Sequence, residues 1–395
     1  MDTPRERTIP TGMRDVLPDE ARARRRLGAE LERAVALFGF ELVILPAFEF
    51  ESVLERGLGR LAESELLRFV EPETGAAAAL RPDMTPQIAR LVATRLRERP
   101  PPLRLAYEGT VLRRRGPRAT ALSQFGVELV GPPAASGDVE ILDVIGSALR
   151  AAAVPSFTLD VGDAMILKSF LAPLAPPVAA ELGDAFARRD EADVRALARQ
   201  AGLADAPLAS LVRVAGGRDA LREGLAVLER TIAAPYAARL ANLFATAEAR
   251  GLPVSVDFGE VRGWSYYTGL RFHAYAAGAS RAVGGGGRYD ELLRGFGRPL
   301  DAVGFSLDLD ALLQAIARPG PIVARVAVVR TPEATAILRG AGVPAVDHDD
   351  EGAAEAHARA WGYTHVLSGG KLRELATGTV IEWNASAASS LVATR

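Results

Sequence analysis

An arginine and a pair of tyrosines lie close together within residues 255–290 and could bind a free amino acid. Arg262 carries a planar, permanently charged guanidinium that suits an α-carboxylate, and its neighbour Gly263 leaves room for a ligand. Tyr266 and Tyr267 could enclose an imidazole ring with their aromatic faces and hydrogen-bond it through their hydroxyls. The types and spacing of these residues therefore favour an amino-acid site.

A run of four glycines, Gly284 to Gly287, comes before Arg288, Tyr289 and Asp290. No Gly-Lys-Ser/Thr sequence follows the run, so it is not a P-loop for phosphate groups. We expect these glycines to permit tight strand packing and the close approach of a ligand.

A second set of polar residues lies further towards the N-terminus. Asp83 or Thr85 could cap the helix predicted to follow them, and the pattern alone favours this role over binding of a ligand ammonium by Asp83. On a predicted strand, Gln124 and Glu128 share one face with Gly126. If that face points inwards, both side chains need hydrogen-bond partners, whereas on an exposed face they would simply be solvated.

The elements that must position these residues form a first domain over residues 1–318. Leu27, Leu31 and Val35 recur at helical spacing after Pro18, and Gly39 is placed to end that helix. The predicted elements are a helix at 19–38, a strand at 41–45, a hairpin at 103–130 with a polar loop at 113–120, a helical insertion at about 164–250, strands at 253–258, 270–276 and 281–283, and a helix at 308–317.

A breaker cluster of Arg318, Pro319, Gly320 and Pro321 predicts a linker to a small α/β domain at 322–395. Residues 321–395 contain seven Lys or Arg against eight Asp or Glu, so this domain lacks the basic stripe of an RNA-binding domain. Its predicted elements are strands at 326–329, 343–346, 365–367 and 378–383 and helices at 332–338 and 351–361.

The composition limits the classes of function. The chain has 395 residues, 49% apolar and 24% charged, with a net charge of −2 that gives no global attraction for nucleic acid. The absence of cysteine excludes disulfides and Cys-ligated zinc, and the four histidines are not at metal-ligand spacing with carboxylates, so we expect no metal and no cofactor. The N-terminus has no apolar signal core and no stretch approaches a membrane span, which favours a cytoplasmic protein without membrane contact.

Three blocks of the sequence, 80–90, 124–128 and 260–290, resemble histidyl-tRNA synthetases, which are class II aminoacyl-tRNA synthetases. From Thr11 to about residue 317, the chain is more specifically similar to the regulatory subunits of ATP phosphoribosyltransferase, which are paralogues of those enzymes. The resemblance implies an α+β fold of the class II synthetase type, with an antiparallel sheet and flanking helices. It also implies a dimer interface at the first helix and the strand that follows it.

The resemblance also assigns roles to individual residues. Asp83 stands where the synthetases have a glutamate that holds the substrate amino group, and Gln124 and Glu128 match positions that contact histidine. Arg113, which could otherwise belong to a solvated basic loop, matches the motif 2 arginine that clamps a carboxylate and the α-phosphate of ATP. The implied histidine site comprises Asp83, Thr85, Arg113, Gln124, Glu128, Arg262, Tyr266 and Tyr267.

Two departures from the synthetase pattern affect the ATP site. In the segment 304–312, Ala311 stands where the synthetases carry an arginine that binds the γ-phosphate, and a methyl group cannot neutralise a triphosphate. Without the resemblance, this segment is an ordinary amphipathic helix capped by Ser306 or Asp308. The loop after Arg113 is also short, with Arg115 where a glutamate is usual. We therefore expect no catalytic residues.

The resemblance thus implies a non-catalytic regulatory subunit that works with the short-form catalytic subunit of ATP phosphoribosyltransferase in the first step of L-histidine biosynthesis. It implies feedback inhibition with L-histidine as the effector, a homodimer core within a hetero-oligomer, and no tRNA partner. Two alternatives remain open. Arg113 and Arg262 favour a true histidyl-tRNA synthetase, which Ala311, the short loop and the acidic C-terminal domain oppose. The other is an enzyme that adenylates a small acid without tRNA.

Overall fold

The computed structural model describes residues 9–58, 66–115, 118–132, 134–203, 205–261, 266–316 and 324–392. The chain divides into two units, Met1–Ala317 and Arg318–Arg395. The elements of the first unit are α1 Pro18–Ala36, β1 Glu41–Leu42, β2 Phe48–Phe50, α2 Glu51–Leu58, β3 Leu67–Val70, β4 Ala77–Leu80, α3 Thr85–Ala93, β5 Leu103–Arg115, β6 Arg118–Val130, α4 Ala134–Ala151, β7 Phe157–Asp163, α5 Ala164–Leu171, α6 Pro176–Ala187, α7 Glu191–Gln200, α8 Asp205–Leu211, β8 Ala215–Gly216, α9 Arg218–Leu228, α10 Ala234–Ala249, β9 Val254–Asp257, β10 Leu270–Ala276, β11 Gly284–Arg288, α11 Asp290–Arg294, β12 Ala302–Asp308 and α12 Leu309–Ala315.

The first unit is built on a nine-stranded sheet with the strand order β1-β5-β6-β12-β11-β10-β7-β9-β8. The pairs β1–β5 and β7–β9 are parallel, and the other neighbouring strands are antiparallel. The α+β prediction is therefore confirmed, although the sheet is mixed rather than purely antiparallel. Strands β2, β4 and β3 form a separate antiparallel sheet that the sequence did not predict.

Alternation along the strands gives the nine-stranded sheet two distinct faces. On β6, Phe125, Val127 and Leu129 point to one face and are fully buried with Leu31 of α1 and Ile141 of α4 in the main core. The intervening residues of β6 point to the opposite face, which carries the polar residues of the candidate site. Burial of one whole face fixes the register of each strand, because a one-residue slip would exchange the two faces.

The central hairpin of this sheet consists of β5 and β6, as predicted, but its strands are longer than expected. The predicted loop at 113–120 is wrong, because β5 continues to Arg115 and β6 resumes at Arg118, with Arg113 paired opposite Thr120. The arginine-rich composition suggested a solvated loop, whereas the ladder continues through these residues.

The glycine run also differs from its prediction. A strand was expected at 281–283, but the strand is β11, formed by the glycines themselves and Arg288. A Cβ atom on Gly286 would lie 2.0 Å from the carbonyl oxygen of Gly304 on β12, so only glycine permits this pairing. The prediction that these glycines allow tight strand packing is confirmed, and the predicted position of the strand, 281–283, is wrong.

The flanking elements agree more closely with the sequence patterns. Helix α1 covers most of the predicted 19–38 segment, and Gly39 follows it with a φ of 81°. The predicted strand at 41–45 is shortened to β1. The predicted helical insertion is confirmed, since α5 to α10 occupy it with the short β8 among them. Strands β7 and β12 were not predicted.

The second unit contains a five-stranded sheet with the order β14-β13-β15-β16-β17, in which β13 is parallel to both β14 and β15. Helices connect the parallel strands, as such crossovers require. The small α/β domain is thus confirmed, whereas the proposed linker at 318–321 lies outside the described residues. The elements are β13 Val326–Val329, α13 Pro332–Gly340, β14 Ala345–His348, α14 Glu351–Trp361, β15 His365–Ser368, β16 Lys371–Glu374, β17 Val380–Glu382 and α15 Ala385–Val392.

Candidate functional site

The buried carboxylate of Glu128 lies at the centre of the polar face of the nine-stranded sheet. Its Oε1 atom accepts hydrogen bonds from the Thr85 hydroxyl at 2.7 Å and from the Tyr107 hydroxyl at 3.2 Å. No described residue hydrogen-bonds the buried Oε2 atom. Burial, reinforced by the nearby Asp83 carboxylate, raises the pKa of Glu128 to about 8. This free acceptor is a suitable partner for a ligand N–H group.

Gln124 occupies the same face of β6 and is also buried, so the interpretation of these two residues as an exposed polar surface is wrong. The register places Gln124 between Gly109 of β5 and Asp308 of β12. Its side-chain carbonyl oxygen accepts no hydrogen bond from any described residue. A second unfilled acceptor therefore lies on the same face as the free oxygen of Glu128.

Asp83 supports the start of the helix that follows it, as the local pattern predicted, and its predicted role towards a ligand ammonium stays a prediction. Its Oδ1 atom accepts the backbone N–H of Thr85, the first residue of α3, at 3.0 Å, which supports the start of that helix. Its Oδ2 atom accepts a hydrogen bond of 3.0 Å from Arg113, whose Nε atom also donates to the carbonyl oxygen of Pro82. Arg113 therefore anchors the Asp83 segment rather than lying in a solvated loop. Thr85 directs its hydroxyl to Glu128 instead of capping the helix.

Three tyrosines form the aromatic wall of the site. The rings of Tyr266 and Tyr267 meet edge to face at 5.2 Å, and Tyr266 lies 5.3 Å from Tyr289. Desolvation, reinforced by the charge of Glu128, raises the pKa of Tyr266 well above its ordinary value and that of Tyr267 to about 12. Both phenols are therefore neutral at neutral pH and can donate as well as accept hydrogen bonds.

Arg262, the predicted carboxylate clamp, lies outside the described residues. The seven other predicted site residues are described. Hydrogen bonds join Asp83, Thr85, Arg113 and Glu128, and the charge of Glu128 acts on Tyr266 and Tyr267. Gln124 lies on the same face of β6 as Glu128. A second guanidinium, that of Arg271 on β10, is buried there and forms an ion pair of 3.2 Å with Glu260. Arg271 was not predicted as a site residue, because only the register of the strands places it on this face of the sheet.

Tyr107 is another residue that the sequence analysis missed. It is fully buried on β5, directly opposite Gly126, and its hydroxyl reaches Glu128. A Cβ atom on Gly126 would lie 2.5 Å from that hydroxyl, so the glycine leaves the space that the tyrosine fills. The alternation of Gln124, Gly126 and Glu128 indicated that a neighbouring strand supplies a partner for this face. Only the register of the hairpin identifies that partner as Tyr107.

The segment that resembles motif 3 forms β12 followed by α12, so the predicted helix at 308–317 is confirmed as Leu309–Ala315, whereas the residues before it form a strand. Asp308 is the cap residue, because its carboxylate accepts the N–H of Ala311 at 3.0 Å. Ala311 is fully buried in the main core. Its methyl group is therefore a packing element.

Within the described residues, no group of three or more His, Asp or Glu side chains could hold a metal ion. The same part of the chain contains no helix long and apolar enough to cross a membrane.

Comparisons with known proteins identify the family. The family model of histidyl-tRNA synthetase matches residues 12–312. An ATP phosphoribosyltransferase regulatory subunit from an Anaeromyxobacter species is 42% identical over 320 residues, which cover 79% of this chain and 93% of the relative. One from Moorella thermoacetica is 38% identical over 323 residues, covering 79% of this chain and 83% of the relative. The chain belongs to the ATP phosphoribosyltransferase regulatory subunit family.

Solved structures agree with membership of this family. A Bacillus halodurans protein described as an ATP phosphoribosyltransferase regulatory subunit/histidyl-tRNA synthetase has a TM-score of 0.81 and 28% identity, covering 93% of this chain and 99% of that chain. Histidyl-tRNA synthetase from a Nostoc species has a TM-score of 0.80 at 21% identity, covering 99% of this chain and 100% of that chain, and shows the shared fold. The predicted class II synthetase fold is thus confirmed.

We predict that Glu128→Gln stabilises the ligand-free protein at alkaline pH. The folded-state pKa of about 8 lies above the unfolded value, so wild-type stability is fully present below the unfolded pKa and is lost as the pH rises through the folded pKa. An amide cannot ionise and removes this loss, which is about 1.4 kcal/mol per unit of pKa shift, or several kcal/mol. Urea unfolding at acid and alkaline pH measures the effect.

The exposed Glu98→Gln serves as the matched control, because its carboxylate is in solvent in the folded protein. If wild type and Glu128→Gln lost stability equally on going to alkaline pH, Glu128 would not be the buried, proton-binding carboxyl described above.

Proposed function

We propose that this protein is a non-catalytic regulatory subunit that binds free L-histidine and controls a short-form ATP phosphoribosyltransferase catalytic subunit. The observation that carries the proposal is the pairing of a buried carboxylate, Glu128, whose Oε2 atom has no described hydrogen-bond partner, with a buried alanine at position 311. Glu128, Gln124 and the tyrosine wall supply unfilled hydrogen-bonding groups, whereas Ala311 supplies none. The family name supports the regulatory role, and histidine is proposed as its signal.

The proposed binding mode assigns each polar group of histidine to a partner. The free Oε2 atom of Glu128 accepts an N–H group of the ligand, and Asp83 and Gln124 offer oxygen atoms for its ammonium. Arg262 is assigned to the α-carboxylate, on the basis of its residue type and its position four residues before Tyr266. Tyr266 and Tyr267 would enclose the imidazole.

We predict that the isolated protein binds L-histidine saturably in calorimetry and that Arg262→Ala and Glu128→Gln each weaken binding. Loss of one partner of a buried charged contact costs on the order of 2–5 kcal/mol, because the other group is left without its partner. Arg218→Ala, an exposed arginine on α9, is the control and should bind as wild type. Unchanged affinity in both site variants would show that histidine does not bind at these residues.

The proposed lack of aminoacyl-adenylate chemistry rests on Ala311. A synthetase needs cationic groups on the triphosphate, and the aligned position here is a fully buried methyl group in the main core. We predict that histidine-dependent exchange between ATP and pyrophosphate stays at background, with an active histidyl-tRNA synthetase assayed in parallel. Exchange well above background would favour the synthetase alternative, since that reaction requires adenylate formation.

A homodimer core is part of the proposal. β1 is the terminal strand at one end of the nine-stranded sheet, and Leu37 and Ile44 beside it expose 87% and 91% of their surface. Phe48 and Phe50 are also exposed nearby along the chain. Apolar surface clustered beside an open strand edge commonly marks an interface, so a second copy of this chain is proposed to cover it.

We predict that phosphoribosyl-ATP synthesis requires this protein together with a short catalytic subunit and that histidine suppresses the joint activity. Coupling between two binding sites is typically about 1–3 kcal/mol and reciprocal, so the partner should in turn change histidine affinity. Light scattering should show a dimer of this chain alone and a larger complex after mixing. Arg262→Ala should blunt the inhibition without preventing assembly.

Two results would contradict the regulatory proposal. One is failure of the two proteins to elute together. The other is activity of the catalytic subunit that is the same with and without this chain. Normal inhibition of a complex containing Arg262→Ala would contradict only the proposed location of the histidine site.

A further inference from the structure

The helical insertion carries a concentrated positive charge that the histidine site does not use. A hollow of about 620 Å³ lies where α6 ends, α7 begins and the segment after α8 returns. Among the described residues, its walls carry five arginines against two acidic residues, Asp190 and Glu191, in a chain whose overall net charge is −2. The arginines are Arg188, Arg189, Arg195, Arg199 and Arg213. We call this feature the arginine hollow.

The scaffold beneath the arginine hollow is well packed. Leu182 and Phe186 of α6, Val194 and Ala198 of α7 and Leu208 of α8 are fully buried in the main core. These packed helices fix the backbone from which the arginine side chains extend, so the side chains stay near one another. The concentration of guanidinium groups is therefore a fixed property of the fold.

The two carboxylates of the arginine hollow do not block its cationic groups. Asp190 is engaged as the cap of α7, where its side chain accepts the N–H of Asp193 at 3.0 Å. Glu191 forms ion pairs of 3.0 Å with both Arg195 and Arg213, which have 42% and 79% of their side chains exposed. Exposed ion pairs of this kind contribute little to stability, so a multiply charged anion can replace Glu191 as their partner.

Arg189 connects the arginine hollow to the main sheet. It pairs with Asp257, a largely buried carboxylate at the end of β9, and has a φ of 58°. Arg188 is the remaining cationic group with an exposed pair, 3.2 Å from Asp193. The hollow therefore combines one guanidinium anchored to the sheet with others, Arg188, Arg195 and Arg213, that are held in exposed ion pairs.

We propose that the arginine hollow binds a ligand that carries adjacent phosphate groups, as pyrophosphate and nucleoside triphosphates do. Guanidinium groups form paired N–H···O hydrogen bonds with phosphate oxygens, and several of them can engage neighbouring phosphates at once. The formal charge of +3 on the walls matches the charge of such a ligand, whereas a dicarboxylate carries only two negative charges. A hollow of this size suits a small anion better than a nucleic-acid duplex, which requires an extended basic stripe.

The test is calorimetric titration of the full-length protein with pyrophosphate, in low salt and without divalent metal. Wild type should bind saturably. The double variant Arg195→Gln/Arg213→Gln should bind at least about tenfold more weakly, because it loses two charge-assisted contacts. The matched control is Arg218→Gln/Arg222→Gln on α9, which removes the same charge from exposed ion pairs outside the hollow and should bind as wild type.

A second pair of variants removes negative charge instead. Glu191→Gln removes the carboxylate that pairs with Arg195 and Arg213 and should tighten pyrophosphate binding. Asp219→Asn changes the net charge by the same amount and should leave pyrophosphate binding unaltered. Glu191→Gln should tighten pyrophosphate binding and Arg195→Gln/Arg213→Gln should weaken it. A general loss of folding would weaken binding in both variants, so the opposite effects identify a binding site. Circular dichroism of each variant confirms that it is folded.

Competing ligands establish the chemical class. ATP should displace pyrophosphate, and orthophosphate should bind much more weakly. The proposal is wrong if pyrophosphate gives no saturable heat, if orthophosphate binds as tightly, or if the α9 control loses affinity as much as the hollow variant. It is also wrong if an RNA duplex binds more tightly than pyrophosphate and displaces it, which would assign the hollow to nucleic acid.

Discussion

Burial of the Glu128 carboxylate is the constraint on which the candidate site depends. A charged carboxylate in a desolvated position costs several kcal/mol unless hydrogen bonds compensate it. Here Thr85 and Tyr107 satisfy one oxygen and leave the other without a described partner. The raised pKa of about 8 is the consequence, so the neutral form prevails at neutral pH in the absence of a ligand. A cationic ligand group would favour ionisation and supply the missing partner.

Three glycines create the room for this arrangement. A Cβ atom on Gly304 would lie 1.8 Å from Oε2 of Glu128, and one on Gly287 would lie 2.7 Å from the ring of Tyr267. A Cβ atom on Gly126 would likewise lie 2.5 Å from the hydroxyl of Tyr107. The glycines thus leave the space that the side chains of Glu128, Tyr267 and Tyr107 occupy on the polar face of the sheet. Glycine is a poor strand former, but the antiparallel ladders on both sides and the buried opposite face hold these strands in place.

These close approaches explain which features were predictable from the sequence. Helices such as α1 were found because their apolar spacing is a local property. Strand β11 was misplaced because its glycines have low strand propensity, and their role depends on the backbone of β12. Tyr107 was missed for a related reason: its contact with Glu128 requires the register of β5 against β6. The resemblance supplied Asp83 and Thr85, whereas local pattern alone would have assigned both to a helix cap.

Asp83 also shows why ligand binding and local structure are difficult to separate here. Its two oxygens already hold the first turn of α3 and the guanidinium of Arg113, so replacing it would loosen the backbone that positions Thr85. A binding defect from such a change could therefore arise through Glu128, which depends on the Thr85 hydroxyl. Changes at Glu128 are more informative, because its free oxygen has no described structural partner.

The proposed absence of adenylate chemistry rests on the packing around position 311 as well as on the residue type at that position. Ala311 is enclosed by the main core, and the N–H of this residue is already bonded to Asp308. An arginine at this position would have to displace core side chains or bury its charge, either of which costs several kcal/mol. The adjacent Asp310 on α12 forms an ion pair with Arg24 of α1, so its charge helps to hold these two helices together. The departure from the synthetase pattern therefore extends to the neighbours of position 311, which supports the proposed absence of adenylate chemistry.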